Sequence, residues 1–435
     1  MKILWMCNGS LPAIAEMQNK TTAVCLGGWL EGLSKNLLRN PDIQLIYCYS
    51  DYEISCVQTG ARDNLKYYAI PMTRKEANES MPNTSVAYKT FSDILRESQP
   101  DIIHFFGTEF VYTDAFLDIC IDCGFGDKVV VSIQGLVSKY FLHFDADLPA
   151  HVIWSKTLNE LKGHASLRNI KKSFRQRGNH ECVALKKAKH IIGRTSWDRA
   201  VTELIAPETQ YHFCNETLRD EFYTGQWNPN ACNRYQIAIS QSSYPIKGLH
   251  KVVEAVAMIA DIFPQIQVVV GGTDVFHGNC IRGNTYGNYV RKLIRKYGLD
   301  DHFKFVGMIN ASEMKKLMLE SNVFVCPSAI ENSPNSLGEA MLLGVPCIAS
   351  DVGGVQDMMT RDIEGYVYPF NETYKLAYYL KKVFEGNEQI LDMAQAGRRK
   401  ALITHDPETN NQRLMEIYQE LSLIHISEPT RPISI

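Results

Sequence analysis

Short apolar runs alternate with stretches of helical periodicity along almost the whole chain, and they do so in two successive series. The first series comprises residues 2–7, 44–48, 102–106, 129–133, 190–193 and 210–214. The second comprises residues 236–240, 267–271, 303–306, 323–326, 346–349 and 365–368. Each run has the length of a buried strand, and most are followed by helical patterns such as 248–262 and 286–297. Strands separated by helices pair in parallel, so the chain is expected to be α/β with two doubly wound units. Its 435 residues, 45% of them hydrophobic, exceed what one core usually holds and agree with two units. Between the series, residues 222–234 break the periodicity with Gly225, Trp227 and Pro229 and read as a linker. The expected boundaries are 1–221, the linker 222–234, and 235–404, followed by a helix at 405–420.

Composition excludes several classes. A formal net charge of −3 leaves the chain as a whole without the footprint of a nucleic-acid binder. The 12 cysteines are scattered, several inside apolar strand patterns. Cys120 and Cys123 form a CxxC without the second pair or histidine that a metal site needs. No metal and no resident cofactor are therefore expected. No apolar stretch approaches the ~20 residues that span a bilayer, and the apolar start, Ile3 to Cys7, gives way at once to Asn8-Gly9-Ser10. A reduced, cytoplasmic protein is the expectation. Residues 138–177 carry Lys156, Lys162, Arg168, Lys171, Lys172, Arg175 and Arg177 at helical spacing with Trp154, Leu158, Leu161, Leu167 and Phe174. They read either as a solvated helix face or as a peripheral contact with anionic lipid at the inner face of the plasma membrane. The tail, residues 421–435, looks like the in-frame translation of a sequencing-library adapter, which places the loss of the natural C-terminus near residue 420.

The densest chemical signal is Ser328-Ala-Ile-Glu331-Asn-Ser-Pro-Asn-Ser-Leu-Gly-Glu339-Ala-Met-Leu-Leu-Gly344-Val-Pro346. It follows the strand 323–326 and opens a helix, so loop amides at the helix start face whatever lies beyond the strand end, a geometry suited to phosphate. Gly338 removes a side chain that would hold a ligand away. A carboxylate repels a diphosphate but accepts hydrogen bonds from hydroxyls, so Glu339 suits a ribose and Glu331 a sugar. Ser336 and Glu339 also fit a capping box, in which Glu339 only satisfies the Ser336 amide.

That segment resembles the Glu-x7-Glu region of family 4 glycosyltransferases, retaining enzymes of the GT-B fold. The resemblance extends through Lys2-Ile-Leu-Trp-Met-Cys7, Gly27-Gly28-Trp29, Asp101-Ile-Ile-His-Phe-Phe-Gly-Thr-Glu109, Gly193-Arg194-Thr-Ser-Trp197, Cys214-Asn-Glu-Thr-Leu-Arg219, Tyr244-Pro-Ile-Lys247-Gly248 and Ser350-Asp-Val-Gly-Gly354, in the expected order. It implies two Rossmann-like domains facing across a cleft, acceptor side first and nucleotide-sugar side second, with the last helix crossing back to the first. It implies that Glu331 orients the donor sugar, Glu339 the ribose, and Lys247 with the Asn335, Ser336 and Leu337 amides the diphosphate. Gly272, Gly307 and Met308 would frame the base and ribose, and Gly27 and Gly28 would lie near the phosphates or the acceptor.

Two positions depart from the family pattern. An arginine is usual five residues before the lysine, and this chain has Ser242, which offers one uncharged donor in place of five charged-group N–H donors. Either Gln241 to Ser243 bind phosphate differently, or Arg291, Lys292 or Arg194 is the replacement. A histidine usually ends the strand at 129–133, and this chain has Gln134, which keeps hydrogen-bonding capacity without acid–base function. Glu109 and His104 flank another strand end and could deprotonate an acceptor. For His104, inside an apolar run, a satisfied core histidine is the plainer reading, whereas Glu109 lies in a turn past the strand.

The expected function is transfer of a hexose-type sugar, with retention, from a UDP- or GDP-linked donor to a glycan or lipid-linked acceptor in bacterial cell-surface polysaccharide or glycolipid synthesis. The alternatives are a GT-B UDP-sugar epimerase and a non-catalytic sugar-nucleotide-binding partner.

Overall fold

The computed structural model describes residues 1–20, 30–163, 165–272, 283–386 and 388–427. The chain divides into two compact units: residues 1–138, 176–217 and 406–435 form the first, and 139–175 with 218–405 form the second.

The first unit holds an eight-stranded sheet: β1 (Lys2–Cys7), β2 (Gln44–Asp51), β3 (Gln58–Arg62), β4 (Leu65–Pro71), β5 (Ile102–Phe106), β6 (Val129–Ser132), β7 (His190–Gly193) and β8 (Gln210–Phe213). Their order is β3-β4-β2-β1-β5-β6-β7-β8, parallel except for the β3–β4 hairpin. β1 is buried from Ile3 to Cys7 on both faces, as befits a central parallel strand covered by helices. One face packs on the helical residues Phe91 and Phe116. The other is covered by the helix Pro407–Ser427, whose Leu414, Ile417, Tyr418 and Leu421 recur at helical spacing and are buried with Trp5 and Tyr47. Each such side chain contributes about 1.5–3 kcal/mol. Tyr418 also accepts from Trp5 Nε1 at 2.9 Å, so the helix is fixed by polar geometry as well as by apolar area.

The second unit holds a six-stranded, fully parallel sheet: β9 (Asn233–Ile239), β10 (Gln267–Gly271), β11 (Phe303–Gly307), β12 (Ser321–Cys326), β13 (Cys347–Ser350) and β14 (Tyr366–Tyr368). The order is β11-β10-β9-β12-β13-β14. The chain therefore reverses its direction of winding between β9 and β12. In such sheets ligands bind at that point, outside the carboxyl ends of the strands.

Two boundaries differ from those read in the sequence. Residues 222–234 are not a free connection: Trp227 is buried, its backbone N–H donates to Leu343 O (2.8 Å) and its Nε1 to Ser321 O (2.8 Å). Residues 139–175, expected within 1–221, belong to the second unit. Polar contacts bind them there: Glu160 accepts from Thr285 N–H (2.7 Å), His250 Nε2 pairs with Ala146 O (2.8 Å), and Lys251 with Asp147 (3.2 Å). Of the tail read as 421–435, residues 421–427 continue the last helix and the rest lies outside the described residues.

Candidate functional site

The loops after β9 and β12 meet at the reversal point of the second sheet. Ala329 N–H donates to Ile246 O at 2.7 Å, stitching one loop to the other. Gly248 sits between them at φ +68°, where a Cβ would stand 1.8 Å from Pro327 O. Only glycine allows that approach without moving a loop. The stitching brings Lys247 Nζ to 2.6 Å from Glu331 Oε1, across 84 residues of sequence. Ser328 Oγ donates to the same carboxylate oxygen at 2.7 Å.

Glu331 is held by its backbone too. Gly354 N–H donates to Glu331 O (3.1 Å), and Gly353, at φ +52°, would bring a Cβ within 1.8 Å of that oxygen. Asn332 N–H donates to Tyr140 OH at 2.9 Å, a contact from the segment that precedes β7 in the chain. The Glu331 side chain is 9% exposed and that of Lys247 24%. Burial works against the Lys247 charge, but the Glu331 carboxylate outweighs it and raises the lysine above its usual range, so it is a cation at neutral pH. The result is a fixed ammonium and a fixed carboxylate, both partly open, at the ligand edge of a doubly wound sheet.

The other positions expected on the donor side line the same edge. The helix Asn335–Leu343 begins at Pro334, and its Asn335 and Ser336 amides have no carbonyl within the helix to donate to. The Leu337 amide is already used by Pro334 O, at 2.9 Å. The capping box does not form, because Pro334 occupies the N-cap and no side chain caps the helix. Glu339 is instead gripped by Arg219, Nε to Oε1 at 2.7 Å and a terminal nitrogen to Oε2 at 2.8 Å. Its side chain is 3% exposed. Burial lifts the Glu339 carboxyl above the usual carboxylate range, and Arg219 opposes that shift. Nothing in local spacing indicated Arg219, which lies 120 residues away.

Ser242, fully buried, keeps its hydroxyl without a partner. Gly272, at φ +87° after β10, lies against Gln241, where a Cβ would meet its Cα at 3.2 Å. Gly307, at φ +73° ending β11, faces open space, and Met308 beside it is exposed. Thr273, next to Gly272, lies outside the described residues, as do Gly27 and Gly28.

In the first unit, Gln134 follows β6 and Arg194 follows β7. Arg194 donates to Ile133 O (3.0 Å) and Gln134 Oε1 (3.4 Å) and pairs with Glu216 (3.0 Å). These contacts engage the guanidinium that sequence reasoning offered as a replacement for the missing arginine. They leave Gln134 with its Nε2 buried and unpartnered. His104 is a satisfied core histidine, 2.6 Å from both Tyr418 OH and Ser132 Oγ, and burial pulls it down to about 3. Glu109 differs. Its carboxylate curls over Gly107, its Oε2 is buried without a partner, and burial pushes its pKa to about 7, with Glu181 adding repulsion and Arg177 opposing it.

Residues 228–400 match the family model of glycosyl transferases group 1. The amylovoran biosynthesis glycosyltransferase AmsK of Erwinia amylovora is 26% identical over 130 residues, 28% of this chain and 32% of that protein. The chain aligns with only 32% to 53% of the length of the first curated relatives it matches. Over the whole fold, sucrose-phosphate synthase from Thermosynechococcus elongatus superposes with a TM-score of 0.70 at 16% identity, covering 98% of this chain and 100% of the other. Anabaena HepE in complex with UDP-glucose gives 0.65 at 16% identity, covering 97% and 100%. Residues 228–400 thus resemble a group 1 glycosyltransferase domain, and the two parallel-sheet units share the GT-B fold of these solved structures.

Proposed function

We propose that the chain is a retaining glycosyltransferase that moves a hexose-type sugar from a UDP- or GDP-linked donor to a hydroxyl of a glycan or lipid-linked acceptor. The cellular role is bacterial cell-surface polysaccharide or glycolipid synthesis, with the acceptor presented at the inner face of the plasma membrane. The observation that carries the reading is the Lys247–Glu331 pair, 2.6 Å apart at the reversal point of the second sheet, where a nucleotide sugar has both a cation and a carboxylate to meet. The UDP-glucose bound by the structural neighbour HepE supports a nucleotide-sugar donor.

The roles follow from charge. As the bond from the sugar's anomeric carbon to the diphosphate breaks, negative charge grows on the leaving phosphate. Lys247 and the Asn335 and Ser336 amides are placed to stabilise it, a contribution of roughly 3–4 kcal/mol for one well-aimed donor. Glu331 orients the sugar hydroxyls, and its ion pair keeps Lys247 charged until the phosphate competes for it. Glu339 takes the ribose, which requires its carboxylate to share or leave Arg219. Ser242 contributes no charge, which leaves Lys247 as the cation fixed at this edge, with Arg291 and Lys292 as the candidates to share the diphosphate. On the acceptor side, the hydroxyl must lose a proton as the new bond forms. Glu109, titrating near neutrality, is the group suited to hold it, with Gln134 restricted to hydrogen bonding.

The test is donor turnover. With UDP- and GDP-hexoses and a lipid-linked or glycan acceptor extract, the protein should consume one donor and form a glycoside with the donor's anomeric configuration, and Lys247→Ala should lose roughly 100-fold or more of the rate. An inverted product removes the retaining assignment, and full activity in Lys247→Ala removes the site assignment.

A further inference from the structure

We propose that residues 150–175 form a docking surface for an anionic lipid bilayer. The short helix Leu158–Gly163 is built inside out for a helix that faces only water. Its acid, Glu160, is buried at 5% exposure, its carboxylate taking the N–H groups of Thr157 (2.9 Å) and Thr285 (2.7 Å). Its leucines, Leu158 and Leu161, one turn apart on one face, are 53% and 52% exposed. An ordinary surface helix does the reverse. Trp154, which ends the preceding helix Ala150–Trp154, is 63% exposed, and the Arg168 guanidinium lies 3.8 Å from its ring centroid.

Cations surround these apolar groups. Lys156, Lys162, Arg168, Lys172 and Arg175 are all exposed, and Glu160 is the single acid among residues 150–175. The segment is thus locally basic although the chain's net charge is −3, with its own acid buried and, among the described residues, Lys171 alone paired to a neighbouring acid, Asp145, at 2.5 Å. A protein partner would favour an apolar patch cleared of charge at its centre. Here Arg168 lies over Trp154, and Lys156 and Lys162 flank Leu158 and Leu161 in sequence, the arrangement that suits a layer with anionic headgroups above and acyl chains below. Indole and guanidinium together belong at that boundary. The contacts of Glu160 and His250 fix this segment to the second unit, so docking would present the donor-binding unit to the membrane.

This deepens the functional reading above and rests on it only for the presence of the acceptor at a membrane. The test is therefore made without substrate. The full chain is sedimented with vesicles of phosphatidylcholine alone and of equimolar phosphatidylcholine and phosphatidylglycerol, alongside Leu158→Ser/Leu161→Ser and Lys156→Gln/Lys162→Gln. All four positions are exposed, and unchanged melting temperatures would confirm that the variants fold. The wild type should bind the anionic vesicles selectively and lose binding as salt rises. Each neutralised lysine should weaken partitioning about five-fold, and the leucine pair should abolish it. Equal affinity for both vesicle types, no binding to either, or wild-type binding by both double variants would overturn the proposal, whatever the enzyme's turnover. A dimer that dissociates on Leu158→Ser/Leu161→Ser, in a protein that ignores vesicles, would assign the surface to a second copy instead.

Discussion

Replacing Gly248 by alanine perturbs the proposed donor site without touching either charged group. The added Cβ would begin 1.8 Å from Pro327 O, so the two loops must part by about 1.5 Å to restore van der Waals separation. Alanine at φ +68° adds roughly 1–2 kcal/mol of backbone strain. Opening the loops breaks the 2.7 Å bond from Ala329 to Ile246, a further loss of about 1 kcal/mol. A total near 2–3 kcal/mol corresponds to a fall in melting temperature of roughly 5–10 °C for a unit of this size. The functional effect should be larger, because the same opening draws Lys247 from Glu331, and a misplacement of about 1 Å can lower turnover about 100-fold. Differential scanning fluorimetry and a donor-consumption assay on Gly248→Ala give both quantities. A variant that melts with the wild type and turns over at the wild-type rate would refute the reasoning, since it would mean that the loops do not fix the pair.

Arg219→Ala leaves the Glu339 carboxylate buried without its partner and should destabilise the protein by about 3–5 kcal/mol, measured by urea unfolding. Arg219→Met combined with Glu339→Leu should recover most of that stability and still fail to bind donor. Glu109 carries a folded pKa of about 7, above its usual 4.5, so its contribution is most favourable below the unfolded value and is lost as pH rises through about 7. Glu109→Gln should therefore be the more stable protein at about pH 8, by roughly 2–3 kcal/mol, and lose that advantage at about pH 4. Thermal melts across that range check the sign. Glu331→Gln removes the charge and keeps the shape, so turnover should fall roughly 100-fold or more, and the melting temperature should fall too, because Lys247 loses its counter-charge.

The strands of both sheets were legible because buried parallel strands are short and apolar throughout. The runs at 102–106, 190–193 and 267–271 have the limits of β5, β7 and β10. Of the β3–β4 hairpin, Gln58–Arg62 was missed because it is a polar, mostly exposed edge strand without an apolar run, whereas Leu65–Pro71 is apolar and buried and was overlooked although it carries the same signal as the other strands. Asp63-Asn64, with Asp63 at φ +54°, was the turn signal that could have found the hairpin. Lys247 and Glu331 could be placed together from sequence because both follow strands at one sheet edge, and strand order then decides that they meet. Glu339 was read as a free or capping carboxylate because its partner lies in the stretch before the supposed linker. The position of residues 139–175 was equally hidden, because what binds them to the second unit is side-chain chemistry at long range, Glu160 to Thr285 across 125 residues. Exposure of Leu158 and Leu161 beside a buried Glu160 inverts the hydropathy rule, and only coordinates reveal an inversion.

The pairing of Lys247 with Glu331 as a nucleotide-sugar site is tested most directly by titrating UDP- and GDP-hexoses into the wild type and Lys247→Ala by calorimetry, without acceptor. One donor should bind the wild type, raising its stability by about 2.7 kcal/mol at one hundred times Kd, and Lys247→Ala should bind it at least ten-fold more weakly. Binding of equal strength to both proteins, or of no nucleotide sugar to the wild type, would contradict the assignment.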